Sequence, residues 1–301
     1  MIFTKKMKRL LLTSAILAII GVVLCLVGFI SAKVGNEELL NQKQNENGQY
    51  VYTYEFDAES IKKISIDLSY ADVNVLRGES GRIEVVNYPI DNFGITVGAT
   101  TISLKEKSAL SELFSLGFDG FRNYINSVKM LNKSREVNIY LPADSGIKLL
   151  DFKIYSGDVL VSDISAETDF TFDINYGSVA VDNTKSTGDM SVKVYEGNLR
   201  MRGSKLQKLI SELNYGYEWI SSSDITEINA NIKTGYFKLE EAKELFSKVV
   251  RLSSEDGRVR FGGDIYENGS FSQGMRYTGV SGVVQEIIEV KVSKGNVMIT
   301  E

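Results

Sequence analysis

Asp158, Asp182 and Asp189, with Arg200, Arg202, Arg258 and Arg260, are the side chains of this sequence best suited to chemistry. Paired carboxylates beside a basic group, or an acidic cluster holding Ca²⁺, are what cleavage of a polysaccharide calls for. One group delivers a proton to the leaving oxygen while another stabilises the charge that develops on the sugar. No Asp-x-Asp motif and no recurring acidic and basic column joins these seven, so a solvated sheet face accounts for them more simply. The chain contains no histidine. That removes Ser-His-Asp and Cys-His nucleophiles and every His-ligated zinc or iron site. Gly262-Gly263-Asp264 looks like a fragment of a Ca²⁺-binding nonapeptide repeat, but it occurs once. Neither a metal nor another cofactor is expected. A second set is aromatic: Tyr155, Tyr176, Tyr195 and Tyr215 recur beside glycines. Such a series forms a partly exposed ridge that either binds sugar rings or protein, or braces the turns.

The elements that position these residues repeat along the chain. Ile154-Tyr-Ser-Gly157-Asp-Val-Leu-Val161 returns as Ile174-Asn-Tyr-Gly177-Ser-Val-Ala-Val181, and again around Gly197, Gly216 and Gly235, at intervals of 20, 20, 19 and 19 residues. A fixed period in this range marks a stacked repeat, in which one unit cannot bury its own apolar face. Taking positions −5, −3, +2 and +4 from the turn residue as inward, eight units (Ala71, the five glycines, Gly257 and Gly295) place 29 apolar residues in 32 slots. Alternation on both sides of a turn predicts two short strands per unit. Glycine at the bend predicts positive φ or close backbone approach. The weak unit is Gly216, where Ser211 and Glu218 fall inward. A slip of one residue there would turn Tyr217 and Trp219 inward instead. Only two prolines interrupt the chain, as a ladder-rich fold requires. The expected fold is all-β, a single-stranded parallel β-solenoid (β-helix) with coils of about 19–22 residues. The rule for parallel crossovers favours a right-handed coil.

Residues 10–30 carry no charge, and Lys5, Lys6, Lys8 and Arg9 precede them. At about 1.5 Å per residue such a run reaches roughly 30 Å, the thickness of a bilayer core. A cleaved leader would have a shorter apolar region, and its best cleavage box here, Ile30-Ser31-Ala32, begins with a bulky residue. The reading is a basic cytoplasmic tail over 1–9, a transmembrane helix over 10–31, a polar tether over 32–49 and a solenoid over 50–301 outside the cell. A first strand is expected near Tyr50–Phe56. The single cysteine, Cys25, lies in the apolar run, so no disulfide can form within the outer part. Beyond residue 32 the chain holds 30 basic and 39 acidic residues, because four of its 34 basic residues come earlier. That balance argues against nucleic acid or anionic lipid as a general partner.

Ile61-Lys-Lys-Ile-Ser-Ile-Asp-Leu-Ser-Tyr-Ala-Asp-Val-Asn-Val75, Thr101-Ile-Ser-Leu-Lys-Glu-Lys107, Val137-Asn-Ile-Tyr-Leu-Pro142 and the Ser-Gly-Asp-Val turn at 156–159 come in that order. The series resembles the bacterial putative-adhesin family of β-strand-repeat proteins, a domain of unknown function common in low-GC Gram-positive bacteria and often carried behind one membrane helix. The resemblance covers roughly residues 50–301. It implies a single-chain β-solenoid with no assigned catalytic residues, and some relatives are encoded beside envelope-stress regulators.

A long insert over 106–135 departs from that pattern. Leu110, Leu113 and Phe114, then Phe121, Tyr124, Ile125 and Val128, fall at helical spacing, broken by Gly117 and Gly120. Two short helices there would cover apolar surface near the first coils, since a solenoid end must be blocked from strand addition. The other reading is a partner-binding or membrane-surface element with Phe114, Phe118 and Phe121 in contact. Together these features describe a membrane-anchored, non-enzymatic interaction or scaffold module at the bacterial envelope. Its expected partners are the lipid bilayer through 10–31 and an envelope protein or glycan outside. The rival is a parallel β-helix enzyme, a lyase or hydrolase acting on polysaccharides.

Overall fold

Two parallel ladders carry the repeat. On the first, Lys63–Tyr70, Leu149–Ser156, Asp169–Tyr176 and Asp189–Glu196 lie side by side; on the second, Asp72–Arg77, Val159–Ser162, Val179–Asp182 and Leu199–Arg202 do the same beyond the bend. Lys205–Ser221 and Asp224–Glu240 run through both ladders as continuous strands. The computed structural model describes residues 43–44, 49–88, 93–106, 134–242, 247–267, 269–274 and 286–300. The apolar run 10–31, most of the 106–135 insert and its Phe114, Phe118 and Phe121 lie outside the described residues. No α-helix occurs among the described residues.

All 32 inward slots are buried. Phe152 faces Phe172 at 5.2 Å between ring centroids, and Val159 and Val161 pair with Val179 and Val181. Full burial of one such side chain contributes about 1.5–3 kcal/mol, which is why the alternation persists from coil to coil. The −7 position is a further inward column, with Ile64, Leu150, Phe170, Met190, Leu209 and Ile228 all buried. Each coil then turns through Asp163, Asn183, Gly203, Ser222 or Glu241, all with φ between 49° and 60°. A short third side follows, where buried Thr168, Thr184, Ser186 and Ser204 satisfy backbone groups; Thr168 Oγ1 donates to Ile147 O at 2.8 Å.

Gly216 does not slip. Ser211 and Glu218 point into the core, and Tyr217 and Trp219 point out. The ladder partners force this: Glu218 lies between Leu199 and Phe237, whose inward orientation is fixed by their own coils.

The turn glycines form a column of close backbone approach. A Cβ on Gly235 would meet Gly216 O at 1.5 Å, and one on Gly177 would meet Gly157 O at 2.0 Å. The φ of each is also positive, 147° and 141°, so both reasons for glycine operate at once. Ala71, first in this column, supplies the oxygen that a Cβ on Gly157 would meet at 1.9 Å.

Chain order and stacking order differ at the C-terminal end. Ile287–Ile299 inserts between Asp224–Glu240 and the coil built from Val249–Asp256 and Val259–Phe261. The column accordingly runs Gly235, Gly295, Gly257. Both ends of the stack finish in antiparallel strands rather than open parallel edges. Phe93–Val97 and Gly81–Val86 cap one end; Ser270–Gln273 and Asp264–Tyr266 cap the other. Gly262 and Gly263 make the turn into Asp264–Tyr266. Residues 43–44, 49–52 and 87–88 belong to a separate compact unit, in which Lys43–Gln44 pairs antiparallel with Tyr50 and Val51. The strand Tyr50–Phe56 is present.

Candidate binding surface

The first ladder ends at the bend, and its last two positions before the turn residue project outward. Tyrosine alternates between them: Tyr70 at −1, Tyr155 at −2, Tyr176 at −1, Tyr195 at −2 and Tyr215 at −1. Stacked coils bring the rings together edge to face, with centroids at 6.0, 5.4, 6.1 and 5.9 Å and planes 70–74° apart. Each such contact contributes about 0.5–1.5 kcal/mol beyond area burial. The five rings are 40–55% exposed, so the ridge is braced from within and open from without. Tyr155, lying closest in effect, pushes the Tyr176 phenol above its ordinary value, so this ring stays neutral.

The four tyrosines expected from the sequence are therefore contiguous, and Tyr70 extends them by one coil. Tyr70 stands beside Ala71 rather than beside a glycine, and so lies outside the tyrosine–glycine series. Across the bend, Tyr217 and Tyr236 stack at 5.1 Å, and the Trp219 indole N–H donates to Glu240 at 2.6 Å with Lys238 over its ring.

The seven acidic and basic candidates do not gather in one site; three of them meet. Asp182 pairs with Arg200 at 3.2 Å and Arg202 at 3.4 Å on neighbouring coils. Asp158 Oδ1 accepts the Ser178 N–H at 2.7 Å, so its carboxylate serves the stacking, and Asp169 Oδ1 accepts the Asp189 backbone N–H at 2.8 Å in the same way. Arg258 and Arg260 lie four coils beyond Arg200, about 19 Å at the usual strand spacing. A shallow groove on the second ladder is lined by Asp72, Asn74, Glu136 and Asp158, but Asp72 is occupied by the Asp158 N–H at 2.9 Å.

Residues 61–261 match the model of the Toastrack DUF4097 family. The chain belongs to that family. The chain is also similar, distantly, to solved structures. A putative adhesin from Bacteroides fragilis is 11% identical, covering 83% of this chain and 96% of that one, with a TM-score of 0.40. A putative cell adhesion protein from Clostridium sporogenes is 13% identical over 84% and 99% of the two chains, TM-score 0.31. A putative lipid binding protein from Parabacteroides distasonis is 13% identical over 83% and 97%, TM-score 0.32. No curated protein matches the chain.

One titratable group of this Toastrack domain lies in the inward slot that the repeat assigns to it. Glu218 is fully buried in the aliphatic core, accepting a hydrogen bond from Ser211 Oγ at 2.5 Å while its other oxygen has no partner. Burial pushes its carboxyl up to about 7, opposed by the Ser211 bond. It opens to no groove, so it bears on stability rather than on a reaction.

Proposed function

We propose that the protein is a non-catalytic binding module held at the outer face of the bacterial membrane by residues 10–31, where it presents the tyrosine ridge to a component of the envelope. The observation that carries this is the ridge itself: five half-exposed, mutually braced rings, while the acidic and basic candidates form no grouping larger than Asp182 with Arg200 and Arg202. Bracing lowers the entropy lost when a ligand covers the rings, which is how pre-organised surfaces gain affinity. The alternative reading, a polysaccharide-acting enzyme, would need Asp182 with Arg200 and Arg202, the one grouping among the seven candidates, to act on a sugar.

Full-length chain in detergent would be mixed with isolated envelopes and sedimented, beside a Tyr155→Ser, Tyr176→Ser, Tyr195→Ser variant. The same mixtures would be assayed for reducing ends and unsaturated sugars, with and without Ca²⁺. Retention that drops in the variant, with no product released, is the expected result. Product formation that stops in Asp182→Asn would establish the enzyme instead.

A further inference from the structure

The ridge has a period of two coils. Like-placed tyrosines, Tyr70, Tyr176 and Tyr215 on one side and Tyr155 and Tyr195 on the other, return about every 9.6 Å at the usual strand spacing. Because neighbours meet at 70–74°, ring faces present themselves in alternation along the stack. Ser69, Ser156, Asn175, Glu196 and Asn214 occupy the intervening positions and offer hydroxyl, amide and, at one coil, carboxylate groups between the rings. Behind the ridge, the exposed −4 column reads Asp67, Lys153, Asp173, Lys193, Glu212. Alternating signs one strand apart cancel over a short distance, so a polyanion or polycation finds no stripe to follow.

We propose that the ridge binds a neutral β-1,4-linked glycan laid along the coil axis, with sugars stacked on successive tyrosines. Such a chain turns each pyranose over relative to the last, so like faces return every second sugar, as like-placed rings return every second coil. Equatorial rings offer flat C–H faces to the aromatic faces, and their hydroxyls reach the amides between. This inference rests on the ridge being the binding surface.

The test is calorimetric titration of the full-length chain in detergent with the hexamer of β-1,4-linked N-acetylglucosamine. Its dimer, an α-1,4-linked glucose hexamer and polyglycerol phosphate serve as comparisons. The β-linked hexamer is expected to bind, and the dimer to bind about tenfold more weakly because it covers fewer rings. Tyr176→Ser should weaken the hexamer about tenfold, Tyr176→Phe should retain it, and Tyr236→Ser, across the bend, should leave it unchanged. Equal binding of the α-linked hexamer, binding of polyglycerol phosphate alone, or indifference to Tyr176→Ser would overturn the proposal. If no glycan binds while envelope retention still depends on the tyrosines, the glycan falls and the binding surface stands. Loss of both would remove the two together.

Discussion

Glu218 shows how one residue can run against its own fold. Its ladder neighbours Leu199 and Phe237 turn inward, so the carboxyl goes with them, and Ser211, between Val192 and Ala230, is the one hydroxyl that meets it. Burial raises its pKa from 4.5 to about 7, so between those values the folded chain holds a proton that the unfolded chain has released. Stability from this group is therefore highest at acid pH and falls as pH rises from about 4.5 through 7. The loss is on the order of 3 kcal/mol once both states are ionised. Melting the full-length chain and Glu218→Gln between pH 5 and 8 checks it. The variant should lose the downward slope and be the more stable protein at pH 8. Identical slopes would show that Glu218 does not titrate in the fold.

At the scale of the strand, in and out positions differ sharply in what they tolerate. Val179 is buried on both ladder sides, between Val159 and Leu199, whereas Ala180 lies on the outer face. Val179→Asp should cost several kcal/mol through an unpaired buried carboxylate. Ala180→Asp should cost about 1 kcal/mol or less. Thermal melts of the two variants compare them directly, and equal losses would refute the register. This register was legible in the sequence because period-two alternation and turn glycines repeat so regularly that even Ser211 and Glu218 obey it. The −7 column was not used, although Leu150, Phe170 and Met190 are apolar, because strand length before the bend is not set by the turn. Of the ridge, the tyrosines beside glycines were visible. Their edge-to-face continuity depends on ring geometry across coils, which no local pattern encodes. The antiparallel caps and the insertion of Ile287–Ile299 were equally hidden, since every coil carries the same inward pattern and any two can dock. Only the full set of contacts selects their order.

For the whole molecule, the ends matter as much as the repeat. Parallel stacks with open edges recruit further strands, and among the described residues the stack changes to antiparallel pairing at both ends. What remains available is the outer surface, and its most distinctive part is the tyrosine ridge. In the proposed function that ridge lies outside the cell, on a chain anchored by residues 10–31. A single cysteine allows this to be measured cleanly. With Cys25 replaced by alanine and Ser156→Cys introduced between Tyr155 and Gly157, intact cells would be treated with a membrane-impermeant maleimide, and the labelled fraction compared before and after lysis. The account predicts rapid labelling in intact cells, with no increase on lysis. Labelling that appears only after lysis would contradict it.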